Sequence, residues 1–317
     1  MRITNSMMIS DMMRNLNNNM ERMNKTYSQY TTGKKFQLPS DDPIGVSKSL
    51  KLHTDVSVLE QYKRNADDAR SWLDITETTL KEMGDVIHRA RELTVDAAND
   101  TKTPEDRKKI GEEIKQLKEH LIKLGNTTYA GRYIFSGFKT DQKLLDEDGN
   151  YDLNGENLKN TEISKYNIGV ATDIEVNTVG TKVFGNFDGT NLEFNNSDVS
   201  SGDTPALIQA FTKLEKALDG TSANPQDDIQ ESIANMDKVL NNTLAVRSEV
   251  GAKTNRLEIT QQKLDSQILN FTKLLSNNED ADMARVIIDL KTQESVYRAS
   301  LSSGSRIIQP TLIDFLR

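Results

Sequence analysis

The chain is 317 residues long, 35% apolar, 6% aromatic and 28% charged, with a formal charge of −8. That balance favours long exposed helices over a thick globular core, and the acidity argues against general nucleic-acid binding, which relies on Lys and Arg at phosphates. With no cysteine in the chain, structural disulfides and thiol catalysis are excluded.

The opening Met1-Arg2-Ile3-Thr4-Asn5-Ser6 leads into polar, Asn-rich sequence, not into the continuous apolar block of a secretory signal. No run approaches the roughly 18 apolar residues of a spanning helix. The expectation is a protein that is soluble, or that leaves the cell without a cleaved signal, and that does not insert into membrane. Ile9, Met13, Leu16, Met20, Met23, Tyr27 and Tyr30 then follow in alternating four- and three-residue steps. Such spacing makes a narrow apolar seam along a helix that a partner helix must cover. Seven of the ten methionines lie in the first 23 residues, and a flexible, polarizable thioether can repack against unlike neighbours or simply fill a coiled-coil core.

Pro43 follows the capping residue Asp42, and Thr103-Pro104, Thr204-Pro205 and Asn224-Pro225 repeat that arrangement. Each marks a helix start, because Pro lacks the N–H that would go unpaired there. From Pro43 to about Asp100 an apolar line runs through Leu73, Leu80, Met83, Ile87 and Ala90. A second helix is expected from Pro104 to about Tyr129 on Ile110, Ile114, Leu117, Leu121 and Leu124. The short link Asn99–Thr103 makes the two an antiparallel hairpin.

Residues 141–202 differ in character, with seven glycines and ten asparagines. Asp173-Ile174-Glu175-Val176 and Lys182-Val183-Phe184 read as short β-prone pieces, and Asp148-Gly149 and Asp188-Gly189 as hairpin turns. The segment is expected to be a small β-rich insertion; a disordered loop is the competing reading. Beyond it, Ile229, Ile233, Met236, Leu240, Val250, Leu257, Leu264, Ile268, Phe271 and Leu275 mark a third long helix, with Thr243, Arg247, Thr254 and Gln261 interrupting the stripe. From Pro225 to Ser276 it would be about 78 Å long at 1.5 Å per residue. Asn277–Asp280 breaks the phase. Met283, Ile287, Leu290, Tyr297 and Leu301 then resume the rhythm of the chain's start, with a polar gap at Glu294, and Ile308 and Phe315 extend it. Residues 1–31 carry four basic and two acidic groups and 283–317 five and three, so each end is +2 and the body −12. A chain with a lone seam at each end pairs its own ends, polymerises, or does both.

Sites for chemistry are sparse. His53, His88 and His120 lack the four-residue spacing that puts two imidazoles on one helix face. The acidic run from Asp146 fails the EF-hand pattern, with Tyr151 at its sixth position and Asn157 at its twelfth. Gly131 and Gly137 are too far apart for a phosphate loop. No catalytic, cofactor or metal site is expected.

The opening Met1-Arg2-Ile3, the stretch Thr32-Gly33-Lys34-Lys35-Phe36-Gln37-Leu38-Pro39-Ser40-Asp41-Asp42-Pro43 and the closing Ile313-Asp314-Phe315-Leu316-Arg317 resemble the flagellin superfamily. Within it, Asn126-Thr127-Thr128-Tyr129-Ala130-Gly131-Arg132-Tyr133-Ile134-Phe135-Ser136-Gly137-Phe138-Lys139-Thr140 resembles the signature of members at the hook–filament junction. The resemblance covers 1–140 and about 205–317.

It implies a mainly α fold, a long-helix coiled-coil rod with a small inserted β-rich domain. Residues 1–42 and 277–317 would be the terminal coiled-coil domain with its spoke, 43–140 and 205–276 the helical rod, and 141–204 the outer insertion. It also implies an extracellular structural protein of the flagellum, exported unfolded through the type III channel. Implied partners are a neighbouring hook-associated protein, flagellin, further copies of itself in a ring, and a cytoplasmic export chaperone. The competing readings are a bulk filament flagellin and a membrane-active type III translocator with basic amphipathic ends.

Overall fold

The computed structural model describes residues 5–99, 102–152, 158–159, 161–187, 192–194, 198–220 and 225–308. The chain divides into two compact units, Met1–Val58 with Ser266–Arg317, and Leu59–Asp265. Helices α1 (Asn5–Thr32), α2 (Pro43–Ala97), α3 (Pro104–Gly125), α5 (Ala206–Leu218), α6 (Pro225–Glu279) and α7 (Met283–Ile308) carry most of it. The short α4 (Gly180–Phe184) lies among three two-stranded antiparallel ladders: β1 (Thr128–Tyr129) with β2 (Arg132–Tyr133), β3 (Lys165–Gly169) with β4 (Thr172–Glu175), and β5 (Asn186–Phe187) with β6 (Leu192–Glu193).

In the second unit the expected stripe of α2 is the core: Leu73, Leu80, Met83, Ile87 and Ala90 are fully buried. On α6 the buried line passes through Ile229, Met236, Val239, Val246, Val250, Leu257 and Leu264. The polar residues that interrupt it have partners. Thr243 Oγ1 donates to the Val239 carbonyl within its own helix. Arg247 donates to Glu77 of α2 from Nε and a terminal nitrogen, at 3.1 and 2.9 Å, while Gln261 bridges Asp67 and Arg70. Arg247 and Gln261 therefore join α6 to α2, while Thr243 and Thr254 are satisfied within α6.

Helix α3 begins as expected, with Thr103 Oγ1 accepting from the Asp106 N–H at 3.2 Å. It ends at Gly125, four residues short of the expected Tyr129. The reason is Asn126, whose amide donates to the Leu145 carbonyl and accepts from the Leu144 and Leu145 N–H groups, which turns the chain into β1. Of the other starts, α2 opens at Pro43 with Asp42 accepting from the Gly45 N–H. At α5 Thr204 does not cap the helix; it donates to Asn150, and Pro205 occupies the cap position. Asn224 lies outside the described residues.

In the inserted segment Asp173–Glu175 is strand, paired with β3. Lys182-Val183-Phe184, expected as a β piece, is helical instead. Val183 and Phe184 are buried, and Asn242 of α6 donates to the carbonyls of Lys182 and Val183, so packing and capping override a β-prone composition. Asp148-Gly149 makes the expected tight turn between Leu145 and Tyr151; Asp188-Gly189 lies outside the described residues. Tyr151 is buried and donates to the Gly185 carbonyl at 2.7 Å, and burial, with Asp203 adding to it, pushes its phenol far above the usual range. Trp72 of α2 meets Tyr129 edge-on at 5.8 Å.

Candidate assembly interface

The seam is helical from Ile9 to Tyr30 and from Met283 to Ile308, where neither stretch holds an internal proline. Helices α1 and α7 pair antiparallel within the first unit. Asn19 Nδ2 donates to Ser300 Oγ at 3.1 Å, the Tyr297 hydroxyl points to the Met20 sulfur at 4.0 Å, and Met12 lies over Gly304. A Cβ built on Gly304 would stand 2.7 Å from the Met12 sulfur, so a larger residue there would push the flexible Met12 thioether aside.

The pair covers its seam only in part. Ile9, Leu16, Met23, Leu290 and Tyr297 are half-buried. Met13, Met20, Tyr27, Tyr30, Met283, Ile287 and Leu301 stay exposed, Tyr27 at 58% and Leu301 at 46%. Ile308 ends α7 with its side chain outside the described residues, and Phe315 lies beyond them. Two open grooves run along the pair. One of about 600 Å³ is lined by Met23, Tyr27, Leu290, Tyr297 and Leu301 with Glu294 and Arg298 at its edge, and one of about 560 Å³ by Met8, Met12, Leu16 and Val296 among polar residues. Glu294, the polar gap in the seam, is held by Lys291 at 3.2 Å and Arg298 at 2.7 Å, and the Lys291 hydrogen bond leads in keeping its carboxyl below the usual range.

At the base of the pair the segment after α1 forms a clasp. Gly33, at φ +69°, turns the chain so that Lys34 bridges Asp280. The Lys35 N–H donates to the Glu279 carbonyl at 2.7 Å and the Ala281 N–H to the Gly33 carbonyl at 2.8 Å. The Lys34 ammonium lies 3.1 Å from both Glu279 and Asp280. Burial opposes its charge, but those hydrogen bonds outweigh burial and hold it above the usual lysine range. Asp280 is held low by Ser276 first and Lys34 next. Asp41 is held low by Lys25 at 3.1 Å and then by the N–H groups of Gln37 and Leu38. Asn278 donates to the Gly45 carbonyl and to Ser49 Oγ at 2.9 and 2.8 Å, and His53 meets Glu279 at 3.0 Å.

The motif residues fall in two places. Gly33, Asp41, Asp42 and Pro43 build the clasp and the start of α2, with Pro39 and Ser40 exposed at its bend. Gly131, Arg132, Tyr133, Phe135 and Gly137 lie in the second unit. Ala130 and Gly131, both at positive φ, form the two-residue turn that pairs Tyr129 with Arg132. Tyr133 N–H bonds the Thr140 carbonyl, buried Phe135 meets Phe184 edge-on at 6.1 Å, and Arg132 is exposed. This stretch holds a chain reversal against a core.

Sequence reasoning missed Met12, Asn19, Ser300, Gly304 and Asn278. Gly304 had a visible signal, a lone glycine within a helical run. Asn278 had none, since its partners are fixed only by the fold.

The sequence signature of the bacterial flagellin N-terminal helical region matches residues 3–140, and that of the bacterial flagellin C-terminal helical region matches 233–316. Flagellar hook-associated protein 3 of Escherichia coli is 29% identical over 308 residues, covering 95% of each chain. That of Salmonella typhimurium is 26% identical over 305 residues, again 95% of each. Among solved structures, the flagellar junction protein of Legionella pneumophila superposes with a TM-score of 0.57 at 19% identity, covering 74% of this chain and all of that one, a likeness of fold.

Proposed function

The chain belongs to the flagellin family and is a structural subunit of the bacterial flagellum; from that premise we propose that it sits at the hook–filament junction and assembles there through its paired terminal helices. The observation that carries this reading is the half-covered seam of α1 and α7. Two helices leave Met13, Met20, Tyr27, Ile287 and Leu301 in water, and neighbouring subunits in a tube would cover them. Flagellin of Bacillus subtilis also matches end to end, at 24% identity; the higher identity to the hook-associated proteins, 29% and 26%, favours the junction over the bulk filament.

In this reading one axial face meets a neighbouring hook-associated protein, the other meets flagellin, and lateral faces meet further copies in a ring. The methionines of α1 suit a surface that must pack against unlike neighbours. The chain reaches its extracellular place through the type III channel, escorted by a cytoplasmic export chaperone. Residues 1–42 with 277–317 form the inner layer, 43–140 with 205–276 the rod, and 141–204 the outermost part. The role is structural and has no catalytic step.

Antibody labelling of intact flagella tests the placement. Label confined to the distal end of the hook is the expected result. Label along the whole filament would make the chain a bulk filament subunit, and the junction reading would fall.

A further inference from the structure

The seam alone does not determine how α1 lies along α7. Its apolar positions recur every three or four residues on both helices, save for the gap at Glu294, the methionines are adaptable, and much of the face is open. In the observed register Met20 meets Tyr297. A slide of one heptad, about 10 Å of helical rise, would bring it to Leu290, apolar against apolar again. Something else selects one register.

We propose that the clasp of Gly33–Lys35 on Glu279–Ala281 sets that register, with Lys34, Lys35 and Asn278 as its positioning residues. The backbone bonds from Lys35 N–H to Glu279 and from Ala281 N–H to Gly33 exist in one alignment. The Lys34 ammonium between Glu279 and Asp280, and the Lys35 ammonium 2.6 Å from the Asn277 carbonyl, fit the same alignment. Asn278 ties the end of α6 to the first turns of α2.

The clasp has little slack. Helix α1 ends at Thr32 and α7 begins at Met283, so one or two residues separate the bridge from each helix. Together these three residues reach roughly 10 Å at full extension, and they already span part of that, so they cannot lengthen by the further ~10 Å of a heptad slide. The Asn19–Ser300 bond and the Met12–Gly304 contact agree with the clasped register but lie on mobile side-chain ends. The register matters because each residue of helix turns its side chain by about 100°; a slip changes which apolar groups neighbours meet. The proposal does not depend on where in the flagellum the chain sits, since it is read in the isolated chain.

A chain without cysteine makes the test direct. Full-length protein carrying Asn19→Cys with Ser300→Cys reports the observed register, and Asn19→Cys with Gln293→Cys reports a one-heptad slip. Both are oxidised in dilute solution, and intramolecular disulfides are quantified by peptide mass mapping. The first pair is expected to crosslink and the second barely. Adding Lys34→Ala and Lys35→Pro should abolish that discrimination, while Met20→Ala, which weakens the seam and leaves the clasp, should preserve it. Discrimination that survives the clasp changes, or crosslinks that both vanish in a folded chain, would overturn the proposal. So would discrimination lost in Met20→Ala, and that variant decides alone if the clasp variant does not fold.

Discussion

The two units of this chain solve opposite problems with similar helices. In the second, Leu73, Leu80, Met83 and Ile87 of α2 and Ile229, Met236 and Leu257 of α6 are sealed, with Phe135, Phe184 and Phe211 closing the rest. Among the described residues of the first, Leu52 and Val286 are the only buried apolar side chains, whereas Met7, Met13, Met20, Tyr27, Leu38, Ile44, Leu50, Ile287 and Leu301 stand exposed. One unit closes over its own apolar side chains; the other leaves apolar surface open to water. Helical periodicity therefore measures the wish for a partner, and burial tells whether the partner is already present.

The comparison breaks first at the seam. Leu16→Asp with Leu301→Asp should leave the second unit folded by circular dichroism, while attachment to flagella is lost, because each unpaired carboxylate in a covered seam costs several kcal/mol. Intact motility in that variant would show that the seam is not the assembly surface. Next comes the sealed core: Phe211→Ala should cost about 3–5 kcal/mol in urea unfolding, against about 0.5 kcal/mol or less for Met20→Ala in the monomer. Equal losses would erase the contrast. Asn278→Ala, which removes two hydrogen bonds from the clasp, should cost about 1 kcal/mol, seen as faster amide exchange in the first turns of α2.

The smallest effect is acid. Asp41, held low by Lys25 and the Gln37 and Leu38 amides, and Asp280, held low by Ser276 and Lys34, bind fewer protons folded than unfolded. Their stabilisation is complete above the ordinary aspartate value of about 3.9 and is lost as pH falls through their lower folded values. Protection factors at Lys35 and Ala281, which correct exchange for its intrinsic pH dependence, should therefore be flat from neutrality to about pH 5 and fall below about pH 4. Loosening near neutral pH would contradict these assignments.

The helices, the starts at Pro43 and Pro104 and the α2 stripe were legible because a 3.6-residue period and a capping residue are local signals. The polar gaps on α6 were visible as gaps, but their meaning lay in Glu77, Asp67 and Arg70, far away in sequence. Lys182–Phe184 misled for the same reason, since Asn242 decides its conformation. Of the interface, the apolar rhythm could be read directly. Which members of it stay open could not, because Leu16 and Met20 differ only in where α7 lies. Asn277–Asp280 read as a break in phase; its role as half of a clasp needed Gly33 and Lys35 beside it.

Trp72, set edge-on to Tyr129 in the second unit, is the only tryptophan in the chain. The first unit has Tyr27, Tyr30 and Tyr297 but no indole. Indole emission therefore follows the second unit alone, whereas phenol emission is shared, since Tyr62, Tyr129, Tyr133, Tyr151 and Tyr166 also lie in that unit. A melt recorded at the tryptophan band would be silent while the terminal pair separates, and would credit the first unit with the endurance of the second.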